Sequence, residues 1–222
     1  HEQNEACWNL NVKATAFLAS LCEKLGIHFI YVSTDFVYDG LNGPYQEEDE
    51  PKPVSFYGES KLEGERITQK MKGSWTIVRT ILVYGILKDM SRSNIILWAK
   101  GALEKGVPIN VVNDQWRMPT LAEDLAKACL LIVEHEAKGI YHISGKDMMS
   151  IAELVRRVAW FWNLDERLIT EVSSDTLAQE AKRPQKTGFI LDKAMTDLNY
   201  QPHSFEEGLA LVKDQLTVSS LP

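Results

Sequence analysis

Between Ile27 and Ser33 the chain is apolar almost throughout, and it then runs into the hydroxyls of Ser33 and Thr34. A strand wetted on one face alternates apolar and polar residues. A run without that alternation belongs to a strand covered on both faces, as in a parallel sheet flanked by helices. Before it, Ala6, Leu10, Ala14, Phe17, Leu18, Leu21 and Leu25 recur at helical spacing over residues 4–25, and Gly26 stops the pattern. After it the same rhythm repeats. Strands are expected at 75–80, 109–112, 139–144 and 168–172, and helices at 56–71, 93–105, 121–135, 151–162 and 204–216. Ser204, followed by Glu206 and Glu207, reads as the cap of the last helix. Strands alternating with helices imply α/β architecture, a doubly wound parallel sheet whose ligands lie at the carboxyl ends of the strands. Ser33, Thr34 and Thr80 stand at such ends.

Charge and cysteine usage narrow the partners. The 222 residues carry a net charge of −7 and no basic stripe, which argues against nucleic acid as a partner. Cys7, Cys22 and Cys129 have no paired spacing, and the five histidines form no ligand pair, so neither a disulfide framework nor a metal site is expected. No apolar run approaches the roughly 18 residues of a membrane span, and no signal peptide is evident. A cytoplasmic protein with no membrane association is expected. The chain opens on His1, directly into a helical pattern.

Tyr57 and Lys61 carry the chemistry. Four residues apart on one helix, they share a face. A free phenol, with a pKa near 10, is a poor proton donor at neutral pH, and a neighbouring ammonium favours its phenolate. A fall of about two to three units corresponds to roughly 3–4 kcal/mol, within reach of a partly dehydrated cation about 4–6 Å away. The loop over 39–56, marked by Gly40, Asn42-Gly43 and three prolines, is long enough to be a lid, and its acidic run from Glu47 to Glu50 reads as a solvated surface. Trp98, Trp160 and Trp162 occupy apolar helix positions and are read as core. His142, inside an apolar strand, is read as a hydrogen-bonded core histidine.

These features fall in a fixed order: Asn11 to Thr15, Tyr31 to Gly40 with its Ser33-Thr34-Asp35-Phe36 centre, Pro44 to Glu47, Tyr57 to Glu65, Val78 to Thr80, Val83 to Gly85, Asp114 to Thr120, and Tyr141 to Gly145. In that order they resemble the extended short-chain dehydrogenase/reductase superfamily, and within it the dTDP-4-dehydrorhamnose reductase family, from Asn4 to about residue 215. The family's Gly-rich pyrophosphate loop has no counterpart in the sequence. The chain is therefore expected to be the C-terminal two-thirds of such a protein, with an incomplete sheet, an exposed edge and exposed apolar surface, and to be inactive alone.

The resemblance implies a Rossmann-like dinucleotide-binding part over 1–90 and 119–146 and a smaller substrate-binding α/β part over 91–118 and 147–222. It implies that Tyr57 protonates a carbonyl oxygen, that Lys61 lowers the Tyr57 pKa and holds the nicotinamide ribose, and that Thr34 polarises the same carbonyl. Asn11, Val32, Ser33, Thr80, Ile81 and Leu82 would border the cofactor, NADP or NAD. Asp35, Phe36, Asn94, Gln115, Arg117, Thr120 and Arg183 would border a nucleoside-diphosphate sugar, with Arg117 and Arg183 facing its diphosphate. The implied activity is NAD(P)H-dependent reduction of a nucleoside-diphosphate 4-keto-6-deoxy sugar. Two departures bear on the substrate: Ile81-Leu82 replaces the usual Ser-Trp, and Arg117 replaces a glycine. Two alternatives stay open, a sugar-nucleotide epimerase or dehydratase, and a non-catalytic subunit like the regulatory subunit of methionine adenosyltransferase. A homodimer through helices 4–25 and 56–71 is a further implication.

Overall fold

The computed structural model describes residues 2–86, 94–176 and 182–219. The first helical stretch is continuous but contains one wide turn: α1 is Glu2–Trp8, a π-helical turn covers Asn9–Lys13, and α2 is Ala14–Leu25, closed by Gly26 in the left-handed conformation. Next come β1 (Phe29–Thr34), α3 (Phe56–Gln69), β2 (Trp75–Thr80), β3 (Val83–Tyr84) and α4 (Ile95–Glu104). They are followed by β4 (Ile109–Val112), β5 (Trp116–Arg117), β6 (Thr120–Leu121), α5 (Ala122–Glu134), β7 (Gly139–Ile143) and β8 (Met149–Ser150). The chain ends with α6 (Ile151–Phe161), β9 (Ile169–Val172), β10 (Lys186–Thr187), α7 (Asp192–Leu198) and α8 (Phe205–Ser219).

The main sheet is parallel in the order β1-β2-β7. Its register sets Thr34 opposite Thr80 and Thr80 opposite Ile143, so the strands finish level and present their carboxyl ends together. Side chains alternate across it. Ser33 and Arg79 point to α3, where they meet Glu65, while Ile30 and Val78 join Tyr141 and Ile143 in a core with α5 and α7. Helices thus cover both faces, as the unalternating strand sequence requires. A second core gathers α4, α6 and α8 around the parallel pair β4 and β9. A small sheet, β10-β5-β8, brings together chain segments on either side of it.

Beneath the strand ends lies a buried polar chain. Arg79, 2% exposed, forms a bidentate pair with Glu65 at 3.0 and 2.7 Å. Ser33 donates to the same carboxylate at 2.5 Å, and Arg79 donates to Tyr38 at 2.6 Å. Tyr38 meets His142 Nε2 at 3.0 Å, and His142 Nδ1 lies 3.1 Å from the Tyr45 carbonyl. His142 is thus the satisfied core histidine expected, and burial holds its pKa well below the ordinary value. Tyr45 stacks on Tyr38 at 4.1 Å, and Glu47 accepts the His142 amide at 2.9 Å. Those contacts pin the 39–56 loop to Arg79 and His142, one residue before the ends of β2 and β7.

Several readings need correction. Trp98 and Trp160 are not core, being 43% and 62% exposed, and Trp160 bonds to Glu166 at the surface. Trp162 packs only partly against the second core. Along the π turn and α2 the apolar stripe points outward: Leu10, Phe17, Leu18, Leu21 and Leu25 are all exposed. α7, though inside 147–222, packs on the main sheet, and the 90/91 boundary falls outside the described residues. Short β8, β10 and α7 give no periodic signal long enough to read.

Candidate active site

At the end of β1 the backbone turns sharply. Thr34 is the extended residue capping a 3-10 turn over Asp35–Val37, its hydroxyl accepting the Phe36 amide at 3.3 Å. Helix α3 begins against that turn, with the Ser55 hydroxyl accepting the Gly58 amide at 3.2 Å. Gly58 makes the approach possible, because a Cβ there would lie 2.2 Å from the Phe36 carbonyl oxygen. The close fit sets Tyr57 edge-on to Phe36, with ring centroids 5.9 Å apart.

Thr34, Asp35, Phe36 and Tyr57 form one wall of a cleft of about 380 Å³. Gln115, Arg117 and Arg183 form its polar side, and Leu82, Ile95, Trp98, Asn110, Val111, Val112 and Ile151 the remainder. Asp35 is buried. It accepts Thr34 at 3.1 Å and Thr187, and Arg117 Nε lies 3.7 Å away. Desolvation raises its pKa, against the pull of Arg117 and the two threonines.

The cation expected beside Tyr57 is bonded to strand β1. Lys61 Nζ donates to the Val32 carbonyl at 2.7 Å, and burial draws its pKa down to about 8. Burial raises the Tyr57 pKa, with Asp35 and Cys7 adding to the rise, and Lys61 is not among the groups that lower it. With its ring 44% exposed, Tyr57 remains open to the cleft.

The other expected residues divide in two. Leu82, in the left-handed region at φ 40°, borders the cleft although it was expected at the cofactor, and Gln115 and Arg183 border the same cleft. Arg117 also borders it, but its guanidinium is committed to the carbonyls of Trp116, Gln185 and Pro184 at 2.7, 3.1 and 2.8 Å as well as to Asp35, which corrects its reading as a diphosphate ligand. Asn94 caps α4, accepting the Ile96 and Leu97 amides at 3.1 Å, and lies off the cleft. Thr80 donates to Thr120, and Thr120 donates to the Ile81 carbonyl at 2.6 Å, so the buried trio Thr80, Ile81 and Thr120 fastens β2 to β6 instead of lining a ligand. Ser33 is turned inward to Glu65. Asn11 donates to Ser60 at 3.0 Å, and Ser60 in turn donates to the Tyr57 carbonyl at 2.8 Å, a structural link behind the site.

Among the described residues, Tyr57 and Lys61 stand next to exposed Val32. A phenol and an ammonium have the chemistry to hydrogen-bond the ribose of a nicotinamide dinucleotide. Among the described residues there is no cluster able to hold a metal ion, and no helix is long and apolar enough to cross a membrane. Asn110 and Thr187 went unread in sequence, and Trp98 was read as core. Trp98 occupies an apolar position like any core residue, and Thr187 stands 152 residues from its partner Asp35.

A parallel sheet with level strand ends, a threonine at one of them and a Tyr-x-x-x-Lys helix beside it define the extended short-chain dehydrogenase/reductase class. Within it the chain belongs to the RmlD substrate binding domain family, whose pattern matches residues 1–218. Methionine adenosyltransferase 2 subunit beta of Danio rerio is 33% identical over 186 residues, covering 82% of this chain and 57% of that protein. The probable low-salt glycan biosynthesis reductase Agl14 of Haloferax volcanii is 28% identical over 94% of this chain and 70% of its own length. The structure of dTDP-4-dehydrorhamnose reductase from Bacillus anthracis, in complex with NADP, superimposes with a TM-score of 0.88 over 96% of this chain and 75% of that one, at 24% identity, a likeness of fold. The chain spans about half the length of the curated methionine adenosyltransferase subunits it matches, at 57%, 53% and 51%.

Proposed function

We propose that these residues are the substrate-facing part of an NAD(P)H-dependent reductase acting on a nucleoside-diphosphate 4-keto-6-deoxy sugar. The observation that carries this reading is that the Thr34 hydroxyl and the Tyr57 phenol open on one cleft, with Lys61 one helical turn after Tyr57. Bound NADP or NAD would supply the hydride. Thr34 and Tyr57 would hold the substrate carbonyl oxygen between two hydroxyls, and Tyr57 would give it the proton. Lys61 would hold the ribose, and its charge would offset the phenolate that Tyr57 becomes. Arg183, exposed at the cleft rim, is the cation suited to a diphosphate. The 1–90 and 119–146 segments would serve the cofactor, and 91–118 and 147–222 the sugar nucleotide.

The test follows NADPH and NADH absorbance in the full-length gene product with a dTDP-4-keto-6-deoxyhexose, using Tyr57→Phe as control. Stoichiometric oxidation lost in the variant is expected. Bound cofactor without oxidation would remove the reductase reading. It would favour a regulatory subunit, the second reading, which is supported by the 33% identity to a methionine adenosyltransferase beta subunit and by the commitment of Arg117 to backbone carbonyls.

A further inference from the structure

One helical turn after Tyr57, the ammonium of Lys61 stands 4.2 Å from the centroid of the Tyr31 ring, in addition to its bond with the Val32 carbonyl. Tyr31 immediately precedes Val32 in β1 and is buried. Its hydroxyl donates, at 3.3 Å, to the main-chain carbonyl of Lys61 itself. One tyrosine therefore holds the lysine at both ends, its ring against the cation and its hydroxyl on the backbone. Helix α3 is built to allow this. A Cβ on Gly64 would lie 2.1 Å from the Tyr31 hydroxyl oxygen, so a side chain there would force β1 and α3 apart. The Asn11 carbonyl oxygen, 2.9 Å from the same point, closes the space from the opposite side.

We infer that Tyr31 is a positioning residue for Lys61, its aromatic face keeping the ammonium charged and fixed one helical turn after Tyr57. The catalytic consequence rests on the reductase reading; the geometry does not. An aromatic face attracts a cation through its quadrupole, and does so more strongly when the cation is partly stripped of water. Burial draws the Lys61 pKa to about 8, close to working pH, so each group that favours the charged form decides how much ammonium is present. The titratable groups facing it are Glu65 on its own helix and Cys7 on α1, which both favour the charge, and Tyr31 on β1. Neither Glu65 nor Cys7 fixes where the ammonium sits, because Glu65 is bound to Arg79 and Ser33, and Cys7 to Ser60 and Asn11.

The experiment is direct titration of Lys61 by NMR of isotopically methylated lysines, assigned with Lys61→Arg. Tyr31→Phe keeps the face and loses the hydroxyl, and the midpoint is expected to stay at its wild-type value. Tyr31→Leu removes the face, and the midpoint is expected to fall by about half a pH unit or more. Because leucine also changes the packing, a series of progressively fluorinated phenylalanines at position 31 keeps the shape while weakening the quadrupole. The midpoint should fall with each fluorine. A flat series, or equal shifts for phenylalanine and leucine, would overturn the inference. If the enzyme turns over, the alkaline limb of kcat/KM should move in the same order. Shifts in the titration without turnover in any form would support the positioning role and sink the reductase reading, so the two failures are separable.

Discussion

Thr187 donates its hydroxyl to the buried carboxylate of Asp35, joining the last short strand to the residue that follows catalytic candidate Thr34. The same carboxylate accepts Thr34 at 3.1 Å. Asp35 thus fastens the far wall of the cleft to the strand end. Thr187→Val keeps the shape and removes the donor. It should cost about 1–3 kcal/mol in urea unfolding, because a buried acceptor loses its partner. Thr187→Ser should recover most of that loss.

The pair of Arg79 and Glu65 is 2% and 1% exposed, and Ser33 and Tyr38 complete it. Glu65→Gln leaves a buried guanidinium without its counter-charge and should cost about 3–5 kcal/mol. Glu65→Met combined with Arg79→Met should cost clearly less than the sum of the single changes. Denaturant unfolding of the four forms in a double-mutant cycle reads the difference.

Lys61 gives a pH dependence of known sign. Its folded pKa is about 8 against an ordinary 10.5. Between those values the unfolded chain keeps a proton that the folded chain has lost, so this group makes stability rise with pH across that window. Below pH 8 both states hold the proton, and the cost of burying the ammonium is constant. Lys61→Met should flatten the rise in chemical denaturation between pH 8 and pH 10. In the proposed reaction, activity should fall over the range where stability climbs, because the ammonium is lost.

Arg117 and Arg183 line one cleft and should respond differently. Arg117 is buried against three carbonyls and Asp35, so Arg117→Ala should cost about 3–5 kcal/mol of stability. Arg183 is exposed, so Arg183→Ala should leave stability within about 0.5 kcal/mol and weaken retention of a nucleoside diphosphate. Thermal shift with and without added dTDP distinguishes the two.

What could be read in sequence was what periodicity and local spacing carry. Strand Phe29–Thr34 followed from its unbroken apolar run, and the shared face of Tyr57 and Lys61 from helical geometry. The commitments of individual polar groups could not be read. Asn94, Thr120 and Ser33 have the chemistry of ligand-binding residues, yet each satisfies a main-chain or buried side-chain group. Arg117 likewise spends its donors on carbonyls brought near by a chain segment 67 residues later. Which partner a hydroxyl or guanidinium takes is set by tertiary contacts between distant segments, and no window of sequence contains them. The outward stripe on the π turn and α2 shows the complementary limit, since helical spacing reveals that a face is apolar but not what covers it.

β1 is paired with β2 on one side, and among the described residues no strand takes its other side. The side chains of Phe17, Leu21 and Leu25 on α2 are exposed as well. A row of open amide and carbonyl groups is a template onto which another molecule of the same chain can add, and exposed apolar side chains favour that association. Solutions of these 222 residues should therefore cloud with time and concentration, sooner in high salt, which screens the repulsion from the net charge of −7. Phe17→Glu or Leu25→Lys should lengthen the lag before turbidity without lowering the unfolding midpoint.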